Sequence, residues 1–242
     1  YKLVDLLDRE LSVRPSRAIE ELYHSVLEAK RTHKLSHRLK IHELPFFGRK
    51  QELSQLEEYL SLVETGEAVG PFLVMGQSGT GKKRLLRQLV LMSNRSFNFI
   101  KVEGKATSQR YEGSSWNDLR QALEKLGDEM GISLLEEEDD LISVWNQLQG
   151  LSKEKPLLIL LENAQWIDAV SLEKVKQLEE RRNQEKWQLI FTAEEPLPAS
   201  FVNFLGSLKV EKRLSQLELT NFDPSESRAL LKGELGAIEP AV

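Results

Sequence analysis

Gly76-Gln77-Ser78-Gly79-Thr80-Gly81-Lys82-Lys83 is the stretch on which the fold turns. An apolar run, Phe72 to Met75, precedes it, and a helical stripe of Leu85, Leu86, Leu89 and Val90 follows. A strand, a glycine-rich turn and a helix in that order are the setting of a phosphate-binding loop. Glycines at 76, 79 and 81 permit a tight turn whose amides face inward, and the positive end of the next helix adds to the field on a phosphate. Lys82 reaches the β and γ phosphates as a mobile point charge. The last position departs from the pattern. A Ser or Thr hydroxyl belongs there to bind the magnesium that bridges the phosphates, and an ammonium such as that of Lys83 repels a cation. Residues Gly76, Gln77, Ser78, Gly79, Thr80, Gly81, Lys82 and Lys83 are therefore expected to hold the phosphates of ATP or ADP, with dependence on magnesium weakened. A glycine-rich turn that binds nothing is the competing reading.

Outward from the loop, the chain alternates helix and strand. An amphipathic helix on Leu53, Leu56, Leu60 and Val63 leads into the first strand. Four more strand candidates follow at Phe99 to Val102, Leu157 to Leu161, Gln188 to Thr192 and Leu214 to Leu219, with helical stretches between them. Five short strands separated by helices predict an α/β fold, a five-stranded parallel P-loop NTPase sheet with helices on both faces and right-handed crossovers.

Phosphoryl transfer needs acids at the end of a second strand. Leu157 to Leu161 runs into Glu162-Asn163-Ala164-Gln165-Trp166-Ile167-Asp168. Glu162 keeps a carboxylate and is the one candidate for a catalytic group or a magnesium ligand. Asn163 cannot accept a proton at neutral pH, so no general base stands beside it. Asp168 is expected to cap the helix carrying Leu172, Val175 and Leu178. A third position, Thr192-Ala193-Glu194-Glu195, places acids where a cation or polar group steadies the γ phosphate. Both glutamates read as a solvated loop. The acidic run Glu136 to Asp140 reads as a solvated helix start, since negative charge suits a helix N-terminus and consecutive acids lack the spacing of a calcium loop.

Composition bounds the partners. Of 242 residues 40% are apolar, enough for a sizeable core, and 33 basic against 38 acidic residues leave a net charge of −5, which argues against a chain held to nucleic acid by its whole surface. The absence of cysteine excludes disulfides and thiolate metal sites and is compatible with a reducing, cytoplasmic setting. No apolar run approaches the roughly 20 residues that cross a bilayer, and no membrane role is expected. Leu3, Val4, Leu7 and Leu11, then Ile19, Leu22, Tyr23, Val26 and Leu27, predict an α-helical hairpin on either side of Pro15. Lys30, Arg31, Lys34, Arg38 and Lys40 follow with no acid among them. The expected organisation is helices over 1–29, a basic linker over 30–43, a P-loop ATPase-like domain over 44–220 and the start of a helical lid over 221–242. A first residue, Tyr1, inside a helical pattern suggests a piece of a longer polypeptide.

Three motifs together resemble one family. Phe46-Phe47-Gly48-Arg49-Lys50-Gln51-Glu52-Leu53, the glycine loop, and Leu160-Leu161-Glu162-Asn163-Ala164-Gln165-Trp166-Ile167-Asp168 are similar, in order and spacing, to the signal-transduction ATPases with numerous domains (STAND), a branch of the P-loop ATPases. The resemblance implies that Phe46, Phe47, Gly48 and Arg49 lie near an adenine base. Two core aromatics stapling a helix start is the alternative for Phe46 and Phe47. The family carries two acids where Glu162 and Asn163 stand. Tyr1 to Leu27 resembles the last helices of the bacterial transcriptional activator domain of antibiotic-regulatory-protein-type regulators, and Phe222 to Leu231 resembles the start of the helical lid. The implied function is a nucleotide-binding switch or scaffold in a bacterial transcriptional regulator, with little or no hydrolysis. An active signal-transduction ATPase and a nucleotide-free interaction scaffold are the alternatives. The implied partners are other domains of the same regulator, further copies of the chain, and DNA through a domain absent from this sequence.

Overall fold

The strands form one sheet in the order β2-β3-β4-β1-β5, and every pairing is parallel. The computed structural model describes residues 46–67, 69–132, 140–153, 155–182, 185–210 and 214–235. The expected helical hairpin over 1–29, the basic linker over 30–43, Glu136 to Asp139 of the acidic run and the end of the lid segment lie outside the described residues. In chain order the elements are α1 (Lys50–Glu64), β1 (Phe72–Gly76), α2 (Lys82–Ser93), β2 (Asn98–Glu103), α3 (Ser114–Met130), α4 (Asp140–Leu151), β3 (Leu157–Glu162), α5 (Ala169–Arg181), β4 (Trp187–Ala193), α6 (Ala199–Val210), β5 (Ser215–Leu219) and α7 (Pro224–Leu235). All five expected strands are present.

The strands are apolar on both faces because both faces are covered. Side chains alternate along each strand. Leu73, Ile159, Leu161 and Phe191 join one core with Trp116 and Leu119 of α3, Val144 and Leu148 of α4, Leu172 and Val175 of α5, and Phe201 and Phe204 of α6. Phe72, Val74, Leu158, Leu160 and Ile190 point the other way and pack with Leu56 and Leu60 of α1 and Leu85, Leu86 and Leu89 of α2. Truncating a fully buried leucine of either core, such as Leu86 or Leu148, costs about 2–5 kcal/mol.

Two polar groups tie the helices of the first face, α3, α4 and α5, to one another. Asp168 caps α5 as expected, accepting from the Ser171 amide at 2.9 Å, and it also accepts from the amides of Gly113 and Ser115 at the start of α3, at 2.8 and 3.1 Å. Asp140 departs from the expected solvated helix start. Its carboxylate takes hydrogen bonds from Trp116 Nε1 and Lys174 Nζ, both at 2.5 Å, and pairs with Arg120 at 3.1 Å, because the start of α4 packs between α3 and α5.

Insertion of β4 between β1 and β3 brings three strand ends side by side. Ligands of open parallel sheets bind outside the carboxyl ends of the strands. Gly76, Glu162 and Ala193, the last residues of β1, β3 and β4, all lie on that edge.

Candidate functional site

The glycine loop leaves β1 under close constraint. A Cβ on Gly76 would stand 2.6 Å from the Leu219 carbonyl oxygen and 2.8 Å from Thr80 Oγ1, so no larger residue fits beside β5. Thr80 closes the turn by donating from Oγ1 to the Gln77 carbonyl at 2.9 Å. Gly81 adopts a left-handed conformation, with φ of 96°, and starts α2. Lys82 is buried at 7% exposure. Its ammonium donates to the carbonyls of Gly76 and Gln77 at 2.7 and 2.9 Å, and to Glu194 at 3.4 Å. Glu194, expected as a solvated loop acid, is only partly exposed and is paired with Lys82, while Glu195 is exposed. Glu194 follows β4, beside β1 in the sheet, and that adjacency carries it to the phosphate-loop lysine.

Lys83 turns towards the ends of β2 and β3. Parallel pairing sets Glu103 opposite Glu162, two carboxylates in register, which is repulsive unless cations intervene. Lys83 donates to Glu103 Oε1 and lies 3.8 Å from Glu162 Oε2, while Lys101 Nζ lies 2.8 Å from that same oxygen. The hydrogen bond from Lys83 holds the Glu103 carboxyl below its ordinary range, and the same bond raises the lysine. Glu162 is buried at 4% exposure, and its Oε2, though close to both ammonium groups, receives no aligned hydrogen bond among the described residues.

Asn163 completes this cluster. Its backbone is left-handed, φ 51° and ψ 47°, a conformation that asparagine tolerates. Its amide donates from Nδ2 to Glu103 Oε1 at 3.2 Å, and its backbone N–H donates to Thr192 Oγ1 at 3.0 Å. The carbonyl of Asn163 passes so close to Gly104 that a Cβ there would stand 2.4 Å from it. Gln165 connects the ends of β3 and β4, accepting at Oε1 from the Glu194 amide at 3.3 Å.

A cavity of about 410 Å³ opens beside the loop. Phe46, Phe47 and Arg49 contribute one side, Gly79, Thr80 and Gly81 of the loop another, and Asn221, Phe222, Ser227 and Leu230 a third. The aromatics expected near a base therefore do line a cavity contiguous with the phosphate loop. Phe46 also packs against the core that holds α1 and α2, the contact on which the helix-stapling alternative draws. Arg49 draws the parts together. Its guanidinium donates to the carbonyls of Thr80, at 3.3 Å, and of Thr220, pairs with Glu52 at 2.8 Å, and lies 4.4 Å from the centre of the Phe222 ring. Its own backbone is left-handed, φ 56°, an uncommon state for arginine that these contacts hold in place.

Sequence reasoning missed Glu103, Lys101, Thr220 and Phe222. The two β2 residues carry no motif, and only the sheet register places them beside Glu162. Phe222 was visible only as the approach to a lid helix. Among the described residues no cluster of three or more His, Cys, Asp or Glu could hold a metal ion, and no helix is long and apolar enough to cross a membrane.

Known proteins fix the fold. The chain is similar to the Aeropyrum pernix ORC2 protein, described in ADPNP-ADP complexes, at 16% identity and a TM-score of 0.52, covering 78% of this chain and 53% of that one. It is also similar to Cdc6p from Pyrobaculum aerophilum, at 15% identity and a TM-score of 0.51, covering 78% and 49% of the two chains, and to Drosophila ORC bound to DNA, at 16% identity and 0.50, covering 77% and 46%. The chain spans about half the length of these structures. No curated protein matches it. Residues 45–191, more than half of the sequence, match the AAA ATPase domain, and the chain belongs to that family of nucleotide-binding P-loop ATPases.

Proposed function

We propose that this chain is the nucleotide-binding regulatory module, switch or scaffold, of a bacterial transcriptional regulator, with degenerate ATPase motifs and little or no hydrolysis. The observation that carries the reading is the contrast between an intact phosphate loop and the residues around it. Lys82 and the glycines are in place, yet Glu194 faces Lys82 at 3.4 Å where developing negative charge needs a donor or cation. Asn163 is committed as a donor to Glu103 and cannot take a proton from water. A magnesium ion fits this donor set poorly, since the hydroxyl position is Lys83 and both neighbouring carboxylates already face lysines.

The resemblance of residues 46–53 and 160–168 to STAND ATPases, and of 1–27 to a transcriptional activator domain, supports the regulator setting. Its partners are then other domains of the same protein, further copies of the chain, and DNA through a domain outside this sequence, in the cytoplasm. Nucleotide acts as a switch only if it binds two arrangements of those domains with different affinity. The scaffold form of the reading draws on Lys82, whose hydrogen bonds are already met by the loop's own carbonyls.

Titration calorimetry with ADP and ATP, together with a phosphate-release assay, tests the proposal. Expected are saturable binding, weakened at least about tenfold, or ~1.4 kcal/mol, in Lys82→Ala, and no release above background. Release that collapses in Lys82→Ala would establish an active ATPase instead, and no binding at millimolar nucleotide would leave the scaffold.

A further inference from the structure

We propose that Lys83 supplies the positive charge that a divalent cation supplies in other phosphate-binding loops, so that this site takes a nucleoside diphosphate free of metal. The inference rests on the nucleotide-binding reading above and specifies the form of its ligand.

Three observations carry it. Register places Glu103 and Glu162 side by side at the edge where phosphates bind, and one oxygen of Glu162 is buried. Paired carboxylates in such a place draw a cation. Here an ammonium from the chain answers them: Lys83 donates to Glu103 and stands 3.8 Å from Glu162 Oε2, with Lys101 2.8 Å from that same oxygen. A divalent ion entering between these acids would have to displace a covalently tethered charge. Because Lys83 directly follows Lys82 in the first turn of α2, that charge belongs to the loop itself and stays with it in chelator.

The third observation sets the length of the phosphate chain. Lys82 is the group that reaches the terminal phosphates, and Glu194 lies 3.4 Å from its ammonium. A phosphate drawn to Lys82 meets that carboxylate, and each added negative charge makes the encounter less favourable. With no bridging metal to offset it, a triphosphate suffers more than a diphosphate.

The test is calorimetry on the full chain with ADP and ATP, each in magnesium and in EDTA. Expected for the native chain is ADP affinity equal within about twofold in the two buffers, and ATP at least about tenfold weaker in both. Glu194→Gln should close most of the gap between ATP and ADP. Lys83→Thr, at a half-exposed position and checked for folding by circular dichroism, should weaken ADP in EDTA at least about fivefold and recover it in magnesium. Native ADP binding that strengthens about tenfold or more with magnesium would overturn this inference alone, as would Lys83→Thr indifferent to the buffer or ATP bound as tightly as ADP. Binding of neither nucleotide in either buffer would overturn it together with the reading beneath it.

Discussion

Asp168 shows how a buried charge is kept by neutral donors. It is 3% exposed, and burial pushes its carboxyl up, but the Ser171 hydroxyl and amide and the amides of Gly113 and Ser115 outweigh that and hold it below its ordinary value. A carboxyl lowered in the folded state adds stability that is fully present above the unfolded value, ~3.9, and is lost as pH falls through the folded one. Denaturant melts of the native chain should therefore weaken below about pH 4, and Asp168→Ala, which strands three amides and a hydroxyl, should lower stability by about 2–4 kcal/mol at neutral pH and flatten that acid limb. A variant as stable as the native chain would rule out this role. Asp168 was legible in the sequence as a helix cap because capping is local. Its hold on α3, 53 residues away, was not, and nor was Asp140's bond to Trp116, since neither follows from spacing along the chain. Lys83 and Asn163 were legible as departures from a catalytic pattern. What they do instead depends on Glu103, which sequence alone could not set beside them.

Elements account for what sequence could anticipate and what it could not. Buried parallel strands read as continuous apolar runs, so all five were identifiable before their order was. The order came from tertiary pairing, and it alone brings the ends of β1, β3 and β4 together and makes Glu194 a neighbour of Lys82. The cavity beside the loop tells the same story. Phe46 and Phe47 announce themselves by preceding α1, whereas Phe222 faces Phe47 edge-on at 6.2 Å only because β5 returns next to β1. Phe222→Ala removes that contact and the ring under Arg49, so ADP affinity should fall about three- to tenfold, in line with ~0.5–1.5 kcal/mol for an aromatic pair, while binding of inorganic pyrophosphate is unchanged. Equal losses for both ligands would place Phe222 at the phosphates rather than at the base.

At the scale of the whole molecule, the described residues form a parallel sheet covered on both faces, in an AAA ATPase domain whose strand-end edge beside the glycine loop carries acids and lysines in mutual balance. Arg49 gives this arrangement a mechanical property. The chain enters the domain at Phe46 and passes Thr220 and Phe222 after its last strand, and one guanidinium grips both sites as well as the carbonyl of Thr80 in the phosphate loop. Tension applied across the domain from these two flanking sites is expected to load that grip before the sheet. In a single-molecule pulling experiment through those flanks, a small early extension should precede global unfolding, and Arg49→Ala should abolish it while leaving the main rupture in place. On that expectation a pull on the two ends of the domain reaches the Thr80 carbonyl of the phosphate loop before any strand parts.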